Sequence, residues 1–285
     1  MATEILVTGA SGFVGRRLCA ALESAGNRVR RFSIEDGDIA RADLAFPGVR
    51  HVFHLAARMF VPESWTNPRA FYETNVMGAV NALELCRRQK AALTLVSSYV
   101  YGTPKRLPIG EDHPVEAFNP YGHTKVMAES VARFYAGAFG IPVTIVRPFN
   151  IYGPGQDARF LIPSLIAQAL DPAADAIRIA DSRPKRDYLH VDDLVELLLR
   201  TLGAPGGGVY NAGSGTSASI GELATLIGRA AGTDKPLVSA GQSRPQEVMD
   251  VVADITRAKT TLGWTPRITL EEGLAETVRA TRRPA

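Results

Sequence analysis

Tyr121 and Lys125 stand four residues apart in Asn119-Pro120-Tyr121-Gly122-His123-Thr124-Lys125, at the head of a helical stretch, and a Ser97-Ser98 pair closes an apolar run upstream. Residues four apart on a helix share a face, so an ammonium can hold a phenol in its field. That is an arrangement for moving a proton. A phenol of pKa near 10 stays neutral at pH 7, whereas a unit charge ~4 Å away at an effective dielectric of ~20 is worth about 4 kcal/mol, or about three pK units. The spacing therefore predicts a tyrosine whose pKa is drawn toward neutrality, where proton transfer is most efficient. Tyr-x-x-x-Lys also arises by chance on solvated helix faces, so its meaning depends on the elements that position it.

The first of those elements is at the start of the chain. Glu4-Ile5-Leu6-Val7-Thr8 is an apolar run that feeds into Gly9-Ala10-Ser11-Gly12-Phe13-Val14-Gly15, after which Val14, Leu18, Ala21, Leu22 and Ala25 recur at a helical period until Gly26. Strand, glycine turn and helix in that order are what a pyrophosphate site requires. Glycines let the backbone approach the phosphates, and free amides at the helix N-terminus face the negative charge.

Further strands are expected at residues 28–32, 49–55, 93–96 and 142–146, with helices from Asn75 to Lys90 and from about Tyr121, the latter carrying Met127, Val131, Phe134, Tyr135 and Ala138 on one stripe. Alternating strands and helices predict an α/β fold with a doubly wound parallel Rossmann sheet, whose ligands bind at the carboxyl ends of the strands. The alternation breaks beyond Phe149, where Pro154, Pro163, Pro172, Pro184 and Pro205 and the Gly206-Gly207-Gly208 turn intervene. The expected division is a dinucleotide-binding domain over 1–150, with a return segment at about 187–210, and a smaller α/β substrate domain over 151–285.

Composition narrows the function classes. Apolar residues make up 46% of 285, enough for a substantial core, and the net charge of +3 comes without a basic run interleaved with aromatics, so nucleic acid is not an expected partner. Charges interrupt every apolar stretch well short of a bilayer span, and no cationic segment precedes an apolar signal core. A cytoplasmic protein is expected, with no membrane partner. Cys19 and Cys86 fall in amphipathic helices away from His or carboxylate clusters, so they read as small buried hydrophobes, and no metal site is predicted.

The ordered motifs resemble the extended short-chain dehydrogenase/reductase family, in the branch acting on nucleotide-activated sugars. They comprise Thr8 to Gly15, Gly37-Asp38-Ile39, His54-Leu55-Ala56-Ala57, Asn75-Val76, Ser97-Ser98, Val100-Tyr101-Gly102, Tyr121 with Lys125, Val146 to Gln156, Arg186-Asp187-Tyr188 with His190-Val191-Asp192-Asp193, and Tyr210 to Gly215. The resemblance implies that Tyr121 gives or takes the proton, that Lys125 binds the nicotinamide ribose, and that a serine hydrogen-bonds the reacting oxygen. One residue fewer than usual separates the serine pair from Val100-Tyr101-Gly102, so counting from the strand selects Ser98 and counting back from Tyr101 selects Ser97. Ser98 is preferred, because strand register fixes it, and Ser97 is assigned to substrate.

The resemblance also implies coenzyme contacts from Gly9, Ser11, Gly12, Phe13, Val14, Ser33, Asp38, Ile39, Leu55, Ala56, Ala57, Asn75, Tyr121, Lys125 and Pro148. Ser33 stands where NAD enzymes carry an acidic residue on the adenosine ribose; with Arg30 and Arg31 close by, it favours NADP, while Glu35 or Asp36 could still reach the ribose of NAD. Asp38 could equally be a turn residue. Substrate contacts are implied for Val61, Asn150, Arg186 and Arg244, the two arginines on the diphosphate of a nucleotide sugar. An ion pair with Asp187 or Asp192 is the plainer expectation for Arg186, and a solvated loop for Arg244.

Family dehydratases place an Asp-Glu pair after the catalytic hydroxyl, where this chain has Tyr99-Val100, so 4,6-dehydration is not expected. Reduction of a C4 ketone and 4-epimerisation remain. The segment Met59 to Pro68 resembles the substrate loop of 4-keto-6-deoxy-sugar reductases, which puts reduction first. A redox sensor without turnover is a third reading, disfavoured by the presence of Tyr121 and Lys125. A homodimer through the helices around 75–90 and 121–138 is the family expectation.

Overall fold

The computed structural model describes residues 3–203, 207–243 and 247–282. Arg244, Pro205 and Gly206 lie outside the described residues.

The first half contains β1 (Glu4–Thr8), α1 (Phe13–Ser24), β2 (Arg28–Phe32), β3 (His51–His54), the short helices α2 (Val61–Thr66) and α3 (Pro68–Tyr72), a π-helical turn (Glu73–Met77), α4 (Gly78–Gln89), β4 (Ala92–Val96), α5 (Pro120–Phe139) and β5 (Val143–Pro148). Then come β6 (Asn150–Tyr152), α6 (Leu161–Leu170), β7 (Ile177–Ile179), β8 (Lys185–Arg186), β9 (Tyr188–His190), α7 (Val191–Thr201) and β10 (Gly208–Ala212). The last elements are β11 (Ala218–Ser219), α8 (Ile220–Ala231), β12 (Leu237–Ser239), α9 (Thr256–Leu262) and α10 (Leu270–Arg282).

Six strands form a parallel sheet in the order β10-β5-β4-β3-β1-β2. Its central strands β3, β4 and β5 are buried along nearly their whole length because helices cover both faces. One face packs on α4 and α5 through Leu83, Leu93, Ala128 and Ala132; the other packs on α1, α7 and α9 through Ile5, Leu18, Leu194 and Trp264. The edge strand β2 exposes Arg28, Arg30 and Arg31, charges that discourage further strands from pairing there. β2 leaves β1 on one side and β3 joins it on the other, so a crevice opens at the carboxyl ends of β1 and β3.

A third cluster, with Ile166, Leu223, Ile227, Leu274 and Val278, joins α6, α8 and α10 beyond the sheet. Segments from this later half return to the sheet. α7 and β10 do so, and so does the stretch after α9, where the buried Trp264 donates to the Asp193 carbonyl at 3.0 Å.

Two expected elements differ. The helix from Asn75 begins as a π-helical turn, not an α-helix, and Asn75 lies within it. The inward face of α5 is Gly122, Thr124, Lys125, Ala128, Glu129 and Ala132, while Met127, Phe134 and Phe139 point outward. The apolar stripe read from the sequence is thus largely an outer face, because the inner one is assigned to small and ionised residues.

Candidate active site

The glycine turn is shaped for phosphate. Gly9 has φ +70, and a Cβ at Gly15 would fall 2.1 Å from the Gly9 carbonyl oxygen, so only glycine lets α1 close on the turn. Gly12 caps α1 with no side-chain hydrogen bond, which leaves first-turn amides near Phe13 and Val14 available to an anion. The residues present therefore fit a pyrophosphate. Leu55 and Ala56 close the other side of the crevice, the Leu55 amide donating to the Thr8 carbonyl at 3.2 Å, and Ala57 follows them.

Beside the turn is a cleft of about 400 Å³ lined by Ser11, Arg16, Arg31, Ser33, Glu35 and Asp36. Ser33 Oγ accepts from the Ser11 amide at 2.9 Å, and the Ser33 amide donates to Asp36 at 2.8 Å. Of the two arginines singled out on β2, Arg31 lines this cleft, whereas Arg30 is paired with Glu4 at 2.5 Å. Arg16 was not anticipated. Its place one helical residue beyond Gly15 brings it to the cleft only once α1 has folded back on the turn.

Several expected coenzyme residues are occupied within the protein. Asp38 accepts from the Ala40 amide at 3.0 Å and from Arg41 at 2.8 Å, the turn role left open by the sequence. Ile39 is buried in the core under α4. Asn75 Oδ1 accepts from the Arg58 amide at 2.8 Å, and its Nδ2 donates to the Arg58 carbonyl at 3.0 Å and to Thr124 Oγ1 at 2.9 Å. It is a brace between the loop after β3 and α5. Pro148 ends β5 in register with Ala212 of β10.

At the end of β4, Ser98 lies beside the Tyr121 phenol, near enough to favour its ionised form. Lys125 Nζ donates to the Val96 carbonyl at 2.7 Å, and Ser97 Oγ donates to Glu129 at 2.6 Å in a buried contact. Ser98 therefore faces the tyrosine and Ser97 does not face the cleft: the strand alternates, and Glu129 holds the Ser97 hydroxyl inside. That corrects the assignment of Ser97 to substrate.

The electrostatics differ from the simple expectation. Burial raises the Tyr121 phenol, with Ser98 opposing it. Burial also lowers Lys125 to about 8, with Glu129 acting in the other direction. The ammonium is turned onto a backbone carbonyl, and desolvation penalises phenolate and ammonium alike. The predicted drop toward neutrality is absent from this arrangement.

On the other side of the crevice, Val61 opens α2, and the preceding Phe60 packs edge-on against Phe160 at 6.0 Å with Arg159 over its ring at 4.7 Å. The loops at 59–68 and 157–161 are thus joined. The Asn150 amide donates to the Asp187 carbonyl at 3.1 Å. Arg186 pairs with Glu247 and donates to the Val248 carbonyl at 2.7 Å. Its partner is neither Asp187 nor Asp192. Asp187 is buried under Ser214, Gly215 and Ala253 amides, and Asp192 pairs with Arg17 at 3.1 Å.

Both cysteines are buried, and burial lifts Cys86 to about 12. Among the described residues, one cluster carries metal-ligating types, His190 with Asp192 and Glu276. Asp192 faces Nδ1 at 3.7 Å and Glu276 faces Nε2 at 3.9 Å, opposite edges of one ring.

The reading of the sequence missed Glu129 and Arg147. Glu129 is 1% exposed and Arg147 also 1%, and they pair at 2.6 and 2.9 Å. The available signal was an arginine inside the apolar strand Val143 to Pro148 and a glutamate one turn beyond Lys125.

A parallel doubly wound sheet, a glycine turn built for pyrophosphate, and a Ser-Tyr-Lys group at the end of β4 define a nicotinamide-dependent enzyme of the short-chain dehydrogenase/reductase class. Comparison with known proteins gives the family. The NAD dependent epimerase/dehydratase family matches residues 5–213, and the chain belongs to it. It is 33% identical to a UDP-glucose 4-epimerase of Mycolicibacterium smegmatis, covering 96% of each chain. It is 32% identical to a GDP-6-deoxy-D-mannose reductase of Pseudomonas aeruginosa, covering 96% of this chain and 95% of that one. The structure of RMD from Pseudomonas aeruginosa complexed with NADPH superposes with a TM-score of 0.90 at 30% identity, covering 98% of both chains. The chain is thus an NAD(P)-dependent enzyme of the nucleotide-sugar epimerase, dehydratase and reductase group.

Proposed function

We propose that this enzyme reduces the C4 ketone of a nucleotide-activated 4-keto-6-deoxy sugar with NADPH. The observation that carries the reading is the placement of Ser98 beside Tyr121, one helical turn from Lys125, at the carboxyl end of β4. The coenzyme supplies hydride to the carbonyl carbon. Tyr121, kept protonated by burial, donates its proton to the carbonyl oxygen, Ser98 holds that oxygen, and Lys125 orients the coenzyme ribose. Tyr99 and Val100 offer no acid and base for eliminating water: the Tyr99 hydroxyl is tied to the Gly102 carbonyl at 2.5 Å and Val100 is buried.

One observation favours reduction. Arg16 and Arg31 both line the cleft beside Ser33, where a 2′-phosphate would sit. The epimerase reading draws on the 33% identity to the Mycolicibacterium enzyme, and on Glu35 and Asp36 in the same cleft, which suit a free ribose diol.

We assign the coenzyme to residues 1–150 with the return segment of about 187–210, and the nucleotide sugar to 151–285, with Val61, Asn150, Arg186 and Arg244 as contacts. The diphosphate would displace Glu247 from Arg186. Met77, Met127, Phe134 and Phe139, exposed by 37 to 65% on the outer side of α5 and of the π-helical turn before α4, suit a homodimer interface. Among the described residues no helix is long and apolar enough to cross a membrane, and a cytoplasmic place would give the enzyme its nucleotide sugars.

The deciding experiment offers NADPH with GDP- and dTDP-linked 4-keto-6-deoxy sugars and, separately, NAD with UDP-glucose. Loss of the reduced-nicotinamide absorbance with a keto sugar is expected. Conversion of UDP-glucose to its C4 epimer, with no keto sugar reduced, would replace this reading by the epimerase one, and sedimentation of wild type against Phe134→Glu tests the dimer.

A further inference from the structure

Three consecutive residues at the end of β4 are gripped by three residues of α5 spaced four apart. Ser98 meets Tyr121, the Val96 carbonyl meets Lys125 at 2.7 Å, and between them Ser97 Oγ meets Glu129 at 2.6 Å. Tyr121, Lys125 and Glu129 therefore occupy one face of the helix. The first two contacts involve the proposed reacting group. The third is a buried contact between Ser97 and Glu129.

Glu129 is buried, and its second carboxylate oxygen is held by Arg147 at 2.6 Å and by Arg133 at 2.9 Å. Arg147 stands on β5 and also donates to the Tyr101 hydroxyl at 3.0 Å, which donates to Asn211 of β10 at 2.5 Å. Four neighbouring pieces of the fold, α5, β4, β5 and β10, are thereby locked in one register. A buried ion pair of this kind is a poor source of net stability, since apolar residues of similar volume often do as well. Its directionality is what an apolar contact cannot reproduce.

We propose that Glu129 is a positioning residue: it clamps Ser97 from α5, and so fixes Ser98 and Lys125 on either side of that contact in the geometry the reaction needs. The inference rests on Ser98, Tyr121 and Lys125 being the catalytic group. Glu129 also faces Lys125 on its own helix and favours the ammonium, while from β3 the buried imidazole of His54, lowered to about 3 by burial and by Lys125, stays neutral. Arg147 from β5 and Arg133 offset part of the Glu129 charge.

Two variants separate clamp from charge: Ser97→Ala removes the contact and keeps the carboxylate, and Glu129→Gln removes the charge. Isotope-labelled lysine followed by nitrogen NMR, with Lys125 assigned by its loss in Lys125→Met, gives a readout that needs no substrate. Its midpoint is expected near 8 in wild type, lower in Glu129→Gln and little moved in Ser97→Ala. In turnover, both variants are expected to lose about 10- to 100-fold in kcat with KM and coenzyme affinity within about twofold, the pattern of misplaced rather than missing groups. A Lys125 midpoint unmoved by Glu129→Gln, or kcat within twofold of wild type in Ser97→Ala, would overturn the proposal. Tyr121→Phe is run alongside. If it retains turnover, the catalytic reading itself has failed; if it is inactive while Ser97→Ala is not, the clamp alone is wrong. Should Glu129→Gln not fold, Ser97→Ala still decides.

Discussion

The two walls of the crevice are built differently. On the wall we assign to the coenzyme, the lining is main chain and residues that the sheet fixes, the glycine turn and the end of β3, with Asn75 bracing the loop beyond through three polar contacts inside the protein. On the wall we assign to the sugar, exposed or half-buried side chains from separate segments meet, Phe60 with Phe160 and Arg159, and Arg186 with Glu247. A common coenzyme can be met by rigid backbone. A variable sugar is met by side chains whose pairings can be exchanged with little cost to the fold.

The largest effect is expected at the seam between the walls. Tyr121→Phe should lower kcat by about 10² to 10⁴, while coenzyme affinity, measured by quenching of protein fluorescence, stays within about twofold. Equal losses in both would place the phenol among the binding groups of the coenzyme wall instead.

Gly15→Ala tests the rigidity of that wall. Its Cβ would meet the Gly9 carbonyl at 2.1 Å, and the forced shift of backbone should cost about 2–4 kcal/mol of stability and weaken coenzyme binding at least tenfold. A variant with parental melting temperature and coenzyme affinity would show that the turn yields more readily than its geometry implies.

Lys125→Met sets function against stability at the same position. The folded value of about 8 lies below the ordinary 10.5, so between these limits the unfolded chain holds more protons and stability rises with pH. Below pH 8 the buried ammonium is a net burden, and replacing it should stabilise by about 1–3 kcal/mol at pH 7 while abolishing turnover. Denaturation at pH 7 and pH 9.5 checks the sign: the gain over wild type should shrink at the higher pH.

The smallest effect on the fold is expected from the sugar wall. Arg186→Ala should raise KM for the nucleotide sugar about tenfold or more and leave the melting temperature nearly unchanged, since the guanidinium is partly exposed and its partner Glu247 can return to solvent. A large fall in melting temperature would mean that the Arg186-Glu247 pair is structural and that the two walls are more alike than they look.

The sequence of the chain was legible where function depends on local spacing. Strand, glycine turn and helix are neighbours in the chain, Tyr121 and Lys125 are one helical turn apart, and the parallel sheet follows from alternation of short apolar runs with helical periods. β1 and β2 have the limits that this patterning predicts. Strand register also predicts that Ser97 and Ser98 point to opposite sides, and in the fold Ser97 turns inward to Glu129.

Tertiary structure decided what no spacing encodes. The inward face of α5 carries small residues with Lys125 and Glu129, and the partner of Glu129 is Arg147 of β5, which no local spacing indicates. Arg186 found Glu247, 61 residues further along the chain, only because the fold brought the two together. The sign of the Tyr121 shift turned on burial, with Lys125 drawn to the Val96 carbonyl. Proximity along a helix is set by the chain itself, whereas desolvation and long-range partners exist only when distant segments have packed together.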